Sequence, residues 1–149
     1  EKASFIQFSG ISSGNQSELF ASDTYHIARY AVLLCYLGEP EKAMEQIKRA
    51  IRIDPFCSDL VLETEGLCHF VSGDFNSALT SFKKMQIETR TSLFYTAASL
   101  QKMGNSEDAQ KILKVAQIES GMDNEKFVSS QLFQKETDKS SLSDALDAI

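Results

Sequence analysis

Hydrophobic positions recur at helical spacing along most of this chain. Ile27, Tyr30, Ala31 and Leu34 stand at i, i+3, i+4 and i+7 and predict a helix from about Thr24 to Leu37, with Ser22 or Asp23 as its cap. Gly38 ends it, because glycine tolerates the left-handed backbone that closes a helix. Pro40 opens a second helix, whose inner face is Ala43, Ile47, Ala50 and Ile51. Its wet face is Lys42, Glu45, Lys48, Arg49 and Arg52, and Pro at the first helical position loses no needed hydrogen bond. Asp54-Pro55 closes the unit.

The same frame returns twice. A helix over Leu60 to Ser72, capped by Asp59, stops at Gly73. Asp74 then caps a partner in which Ala78, Phe82 and Met85 take the places of Ala43, Ile47 and Ala50. A helix over Thr91 to Met103 stops at Gly104, and Ala109, Leu113 and Ala116 fill those places again over Ser106 to Glu119. The glycine-to-alanine offset is five residues in every unit, yet the glycines are 35 and then 31 residues apart. The four missing residues fall after Met85 and predict a shortened link there, with a local change of pitch. Small residues at Ala31, Gly66 and Ala97 let paired helices approach closely, and Ile47, Phe82 and Leu113 fill the space between. A repeat of this length implies stacked helix pairs that bury a continuous core and present a binding surface.

Small-Ala-large-Ala spacing, with a glycine turn and a closing Pro, resembles the tetratricopeptide (TPR) pattern. Gly38, Ala43, Ile47, Ala50 and Pro55 stand at the motif positions of unit one. Gly66, Gly73, Ala78 and Phe82 do so in unit two, and Ala97, Gly104, Ala109 and Ala116 in unit three. The resemblance implies an all-α, right-handed solenoid of antiparallel helix pairs with a C-terminal helical cap. The units span about 24–57, 59–89 and 90–120. Residues 1–22 form an N-terminal segment, read as a linker after the remnant of an upstream helix, and 121–149 form the cap. DPFCSDLVLETEGLCHFVSGDFNSAL and the tail KFVSSQLFQKETDKSSLSDALDAI are similar to the C-terminal TPR region of bacterial class III adenylate/guanylate cyclases. That likeness implies a short helix, a turn at Phe133, and a last helix with the stripe Leu142, Ala145, Leu146 and Ile149. It places a cyclase domain, if there is one, upstream, in a bacterial cytoplasmic signalling protein. The tail departs from that group in lacking the Pro beside the Phe and the terminal basic residues. A TPR part of a transcription regulator or secretion-related protein is the alternative setting.

In TPR domains the first helix of each unit lines the groove. Carried over, this gives Tyr25, Val32 and Tyr36 from unit one, Leu60, Glu63, Leu67, Phe70 and Val71 from unit two, and Phe94 and Gln101 from unit three. Groove positions where carboxylate-clamping TPRs carry Lys and Asn hold Ala28, Glu63 and Phe94, and Val32, Leu67 and Ala98, which argues against capture of a chaperone's terminal carboxylate. An apolar groove leaves three occupants open: the chain's own terminal segment, a second copy or domain, or an apolar partner peptide or helix.

Composition narrows the function classes. A formal charge of −6 argues against nucleic acid and anionic membrane as partners, and residues 119–149 carry seven acids against three lysines. No apolar run is long enough to span a bilayer. The N-terminus lacks the basic and apolar regions of a signal peptide. The missing initiator Met fits a piece cut from a longer chain. Cys35, Cys57 and Cys68 show no metal-type spacing and read as small buried hydrophobes in a reducing compartment. His69 reads as a packing histidine. Glu65, where TPRs bury an apolar residue, needs a hydrogen-bond partner or a wet edge. No catalytic, cofactor or metal motif is present, so the expectation is a non-catalytic interaction or self-association module without a cofactor.

Overall fold

The computed structural model describes the backbone from residue 13 to 149 and the side chains of Leu19 and of residues 22–149. Within these residues every regular element is a helix: α1 (Ser13–Tyr36), α2 (Pro40–Ile53), α3 (Asp59–Val71), α4 (Phe75–Lys83), α5 (Arg90–Lys102), α6 (Ser106–Ser120), α7 (Asn124–Ser130) and α8 (Glu136–Asp147). The chain is therefore all-α over its described length. Helices pair as α1 with α2, α3 with α4, and α5 with α6, and each pair packs on the next through α1–α3, α2–α3, α4–α5 and α3–α5.

The three glycine turns share one geometry. Gly38, Gly73 and Gly104 have φ of 77°, 82° and 82°, a region that L side chains rarely enter. In each turn the residue after the glycine donates its N–H five residues back: Glu39 to Leu34, Asp74 to His69 and Asn105 to Leu100, all at 2.9 Å. This is the bond that satisfies a helix's last carbonyls. Ala43, Ile47, Ala78, Ala109 and Ala116 are fully buried, with Ala50, Phe82 and Leu113 nearly so, so the inner rows of the second helices stand where the pattern put them.

Three local expectations change. Helix α1 begins at Ser13, so Ser22 and Asp23 lie inside a helix and cap nothing. Gln16, Glu18, Leu19 and Ala21 propagate a helix well, and the Gly, Ser and Asn residues fall only in its first turn or beside those formers. The rest of the expected N-terminal segment, residues 1–12, lies outside the described residues. The buried row on α1 is Thr24, Ala28, Ala31, Leu34 and Cys35, while Tyr30 stays half-exposed. Ser58, not Asp59, caps α3, its side chain accepting from the Val61 N–H.

The shortened link is also accounted for. Helix α4 stops at Lys83, so Met85, expected in the place of Ala50, falls beyond the helix. Freed from capping, the Asp59 carboxylate accepts the Gln86 and Ile87 N–H groups, each at 2.9 Å, and pins the link to the start of α3. Thr89 and Ser92 then open α5 with reciprocal side-chain-to-backbone bonds.

Candidate interaction face

Helices α1, α3 and α5 share one face, and the chain's own C-terminal segment lies on it. Phe127 of α7 is fully buried, stacked on Phe94 at 4.0 Å and 8° between planes, with its edge toward Tyr95 at 5.8 Å. Tyr95 in turn meets Phe70 edge-on at 5.0 Å. Past α7, the Gln131 Oε1 accepts hydrogen bonds from the Tyr36 hydroxyl (3.0 Å) and the Tyr95 hydroxyl (2.9 Å), which ties α1 and α5 to the segment at one atom. Burial, then Cys35 and Glu63 nearby, push the Tyr36 phenol above its ordinary value against the pull of Arg29. Burial does the same to Tyr95. Both phenols therefore remain O–H donors, and the amide oxygen of Gln131 is the acceptor that suits them.

The segment then reaches the first glycine turn. Phe133 packs edge-on against Tyr36 at 5.1 Å, the Gln134 N–H donates to the Tyr36 carbonyl at 2.8 Å, and Lys135 Nζ donates to the Gly38 carbonyl at 2.8 Å. A Cβ on Gly38 would meet only the flexible end of the Lys135 side chain, so it is the left-handed backbone, φ 77°, that calls for glycine here. Helix α8 returns along α5 and α7, burying Leu142, Ala145 and Leu146 with Ile149 packed at the edge of the core. The Gln101 Nε2 meets the Ala148 carbonyl at 3.4 Å, and the Asn124 Nδ2 meets the Leu146 carbonyl at 3.2 Å.

Of the groove residues expected from the sequence, Tyr36, Phe94 and Gln101 touch this segment. Phe70, Leu67 and Phe94 are buried. Val32, Tyr36, Leu60, Glu63, Val71 and Gln101 are half-buried. Tyr25 is half-exposed with its ring against His26. Glu63 accepts a hydrogen bond from the Thr89 hydroxyl. Burial raises its carboxyl above the ordinary range, the Thr89 bond opposes this, and Asp59 adds to it. Glu65 finds a partner in the Ser81 hydroxyl at 2.8 Å. Tyr95, Phe127, Gln131 and Lys135 were not singled out in the sequence. Tyr95 follows Phe94 in an apolar run, and Gln131 lies in a stretch with no periodicity.

This face holds a cavity of about 460 Å³ between α1, the start of α5 and residues 130–132. Arg29, Arg90, Thr91, Tyr36, Ser130 and Gln131 give it a polar side, and Val32, Leu33 and Leu132 an apolar one. Among the described residues no acidic residue lines it and neither arginine makes an ion pair.

The outer edge of α1 is different in kind. Tyr30, Leu33 and Leu37 are each more than half exposed. In the glycine register, Cys68 and Ser99 stand where Leu33 does, and both are fully buried, on helices that pack against the preceding pair. Among the described residues no group of His, Cys, Asp and Glu is placed to hold a metal ion, and no helix is long and apolar enough to cross a membrane. Comparison of the chain with protein-family models, curated proteins and solved structures finds no match.

Proposed function

We propose that this chain is a TPR-type interaction module, a solenoid of three helix pairs whose groove is occupied by its own C-terminal segment. The observation that carries the reading is Gln131, whose one amide oxygen joins Tyr36 of the first pair to Tyr95 of the third. With Phe127 stacked on Phe94, it makes residues 124–147 an internal ligand of the face. Of the three occupants the sequence left open, the chain's own segment is the one this contact favours. A partner that replaces it is a helical protein segment with an aromatic anchor for Phe94 and a carboxylate for the Arg29–Arg90 opening. The module is non-catalytic. In the setting that the resemblance implies, it regulates a bacterial nucleotide cyclase domain. A transcription-regulator or secretion-related setting uses the same face.

The test is a peptide exchange. A labelled peptide of residues 121–149 is added to the full chain and to its Gln131→Ala/Lys135→Ala variant, and anisotropy is read. The variant, with its own segment loosened, binds the peptide at least about tenfold more tightly than the wild type. Equal or absent binding in both would contradict the internal-ligand reading.

A second reading rests on the free edge of α1. Leu33 is exposed where the later pairs bury its equivalents Cys68 and Ser99, and Tyr30 and Leu37 are exposed beside it, which supports self-association or docking of another helical domain there. Sedimentation separates it from the first reading. Wild type associating at high concentration while Leu33→Asp stays monomeric supports this edge. A monomeric wild type removes self-association.

A further inference from the structure

Cys35 of α1 and Cys68 of α3 lie 33 residues apart in sequence, with their sulfurs 3.0 Å from each other. Both are fully buried and neither is in a disulfide. They meet where the first helix pair packs on the second. Counted from the glycine turns, Cys35 corresponds to Phe70, and Cys68 corresponds to Ser99. The next junction therefore has a phenyl ring and a hydroxyl in these places, and only the first junction carries two thiols. Moving from 3.0 Å to a bonded S–S distance near 2.0 Å requires about 1 Å of sulfur travel, within reach of small side-chain rotations.

We propose that Cys35 and Cys68 form an oxidation site whose product is a disulfide joining the first and second helix pairs. The oxidant is a hydroperoxide. The thiolate of one cysteine attacks the terminal peroxide oxygen and breaks the O–O bond, giving a sulfenic acid and, for hydrogen peroxide, hydroxide that takes up a proton. The second sulfur then attacks the sulfenic sulfur, releasing water as it loses its own proton. Two thiols and one peroxide become one disulfide and two waters, and a thiol reductant reverses the link by exchange.

The surroundings set the rate and the consequence. The hydrogen bond with Cys35, then burial, hold the Cys68 thiol far above its usual range, so reaction waits on opening of the junction and is slow in the closed protein. Tyr36, beside Cys35, holds Gln131 of the C-terminal segment. A covalent bond between α1 and α3 thus fixes the seat on which that segment rests.

The experiment uses the full chain carrying Cys57→Ser, with hydrogen peroxide as the probe. Intact mass falls by two hydrogens, proteolysis yields one crosslinked peptide containing Cys35 and Cys68, and dithiothreitol restores the starting mass. Closing a loop of this length lowers the unfolding equilibrium constant by on the order of a hundredfold to a thousandfold, read as a rise in melting temperature that the reductant abolishes. Two results overturn the proposal: peroxide adding only oxygens, as sulfinic or sulfonic acid, or sulfurs bridging only between chains. A matching melting-temperature rise in Cys35→Ser/Cys57→Ser, which cannot form the bond, would overturn the stabilising role even if the crosslink forms.

Discussion

Replacing Gly66 by alanine tests the helix register through one contact. Gly66 lies in α3 and faces Phe82 of α4. A Cβ there would stand 2.3 Å from Phe82 Cε1, 2.6 Å from Cζ and 2.7 Å from Cδ1. Ordinary contact begins near 3.4 Å, so the ring must retreat by about 1 Å. Phe82 is only 6% exposed, and its ring has no open solvent to swing into. Two effects compete. Alanine in place of a mid-helix glycine favours the helix by roughly 1 kcal/mol, whereas overpacking a close-packed site costs roughly 1–3 kcal/mol. The clash is with a buried ring and not with the end of a flexible chain, so the cost wins and Gly66→Ala destabilises by up to about 2 kcal/mol. Urea unfolding of Gly66→Ala, Phe82→Leu and the double variant measures it. With the ring removed, the same Gly66→Ala change becomes neutral or stabilising, giving a coupling of about 1–3 kcal/mol between the sites. If Gly66→Ala stabilises the wild type as much as it does the Phe82→Leu variant, the close approach of α3 and α4 is wrong.

Two further changes probe other parts of the account. Asp59→Ala removes the acceptor of two link N–H groups and is expected to cost about 1–2 kcal/mol by urea unfolding, since these are charge-assisted but exposed bonds; amide exchange at Gln86 and Ile87 rises in parallel, and unchanged exchange there would refute the clamp. Glu63→Gln probes a carboxyl that burial raises above its ordinary range. Such a group favours the folded state most below its unfolded pKa, and that contribution is lost as pH rises through the folded value. The melting temperature of Glu63→Gln relative to wild type therefore climbs as pH rises above the ordinary Glu value of about 4.3, and a flat difference would show that Glu63 ionises as it does in the unfolded chain.

The helix pairs were legible because their determinants are local. Gly38, Gly73 and Gly104 each stop a helix through backbone conformation, and the alanines five residues on mark the inner row wherever the helix runs. Met85 leaves its predicted place because that logic assumes a full second helix, and α4 stops at Lys83. Asp59, looking like a cap, instead binds the link, and the choice between Ser58 and Asp59 depends on a contact 27 residues away. Helix α1 starts earlier than the pattern predicts, because Ser and Gly weigh as breakers unless the residues around them propagate a helix. The face was legible as a set of apolar residues, and its occupant was not. Nothing periodic marks Gln131 or Lys135, whose roles come from a fold-back that brings residues 95 and 97 positions apart into contact with Tyr36 and Gly38. Phe70 and Phe94, which as open groove residues would suit charge substitution, are buried, so Phe→Asp there tests folding and not partner binding.

The central claim is that residues 124–147 lie against α1 and α5. Nuclear Overhauser contacts in the intact, isotope-labelled chain test it most directly. The account predicts cross-peaks from the Phe127 ring to the Phe94 ring and from the Gln131 side-chain amide to Tyr36 and Tyr95, with protected amides in α7 and α8. Absence of these cross-peaks, with α7 and α8 exchanging as freely as an unfolded tail, would contradict it.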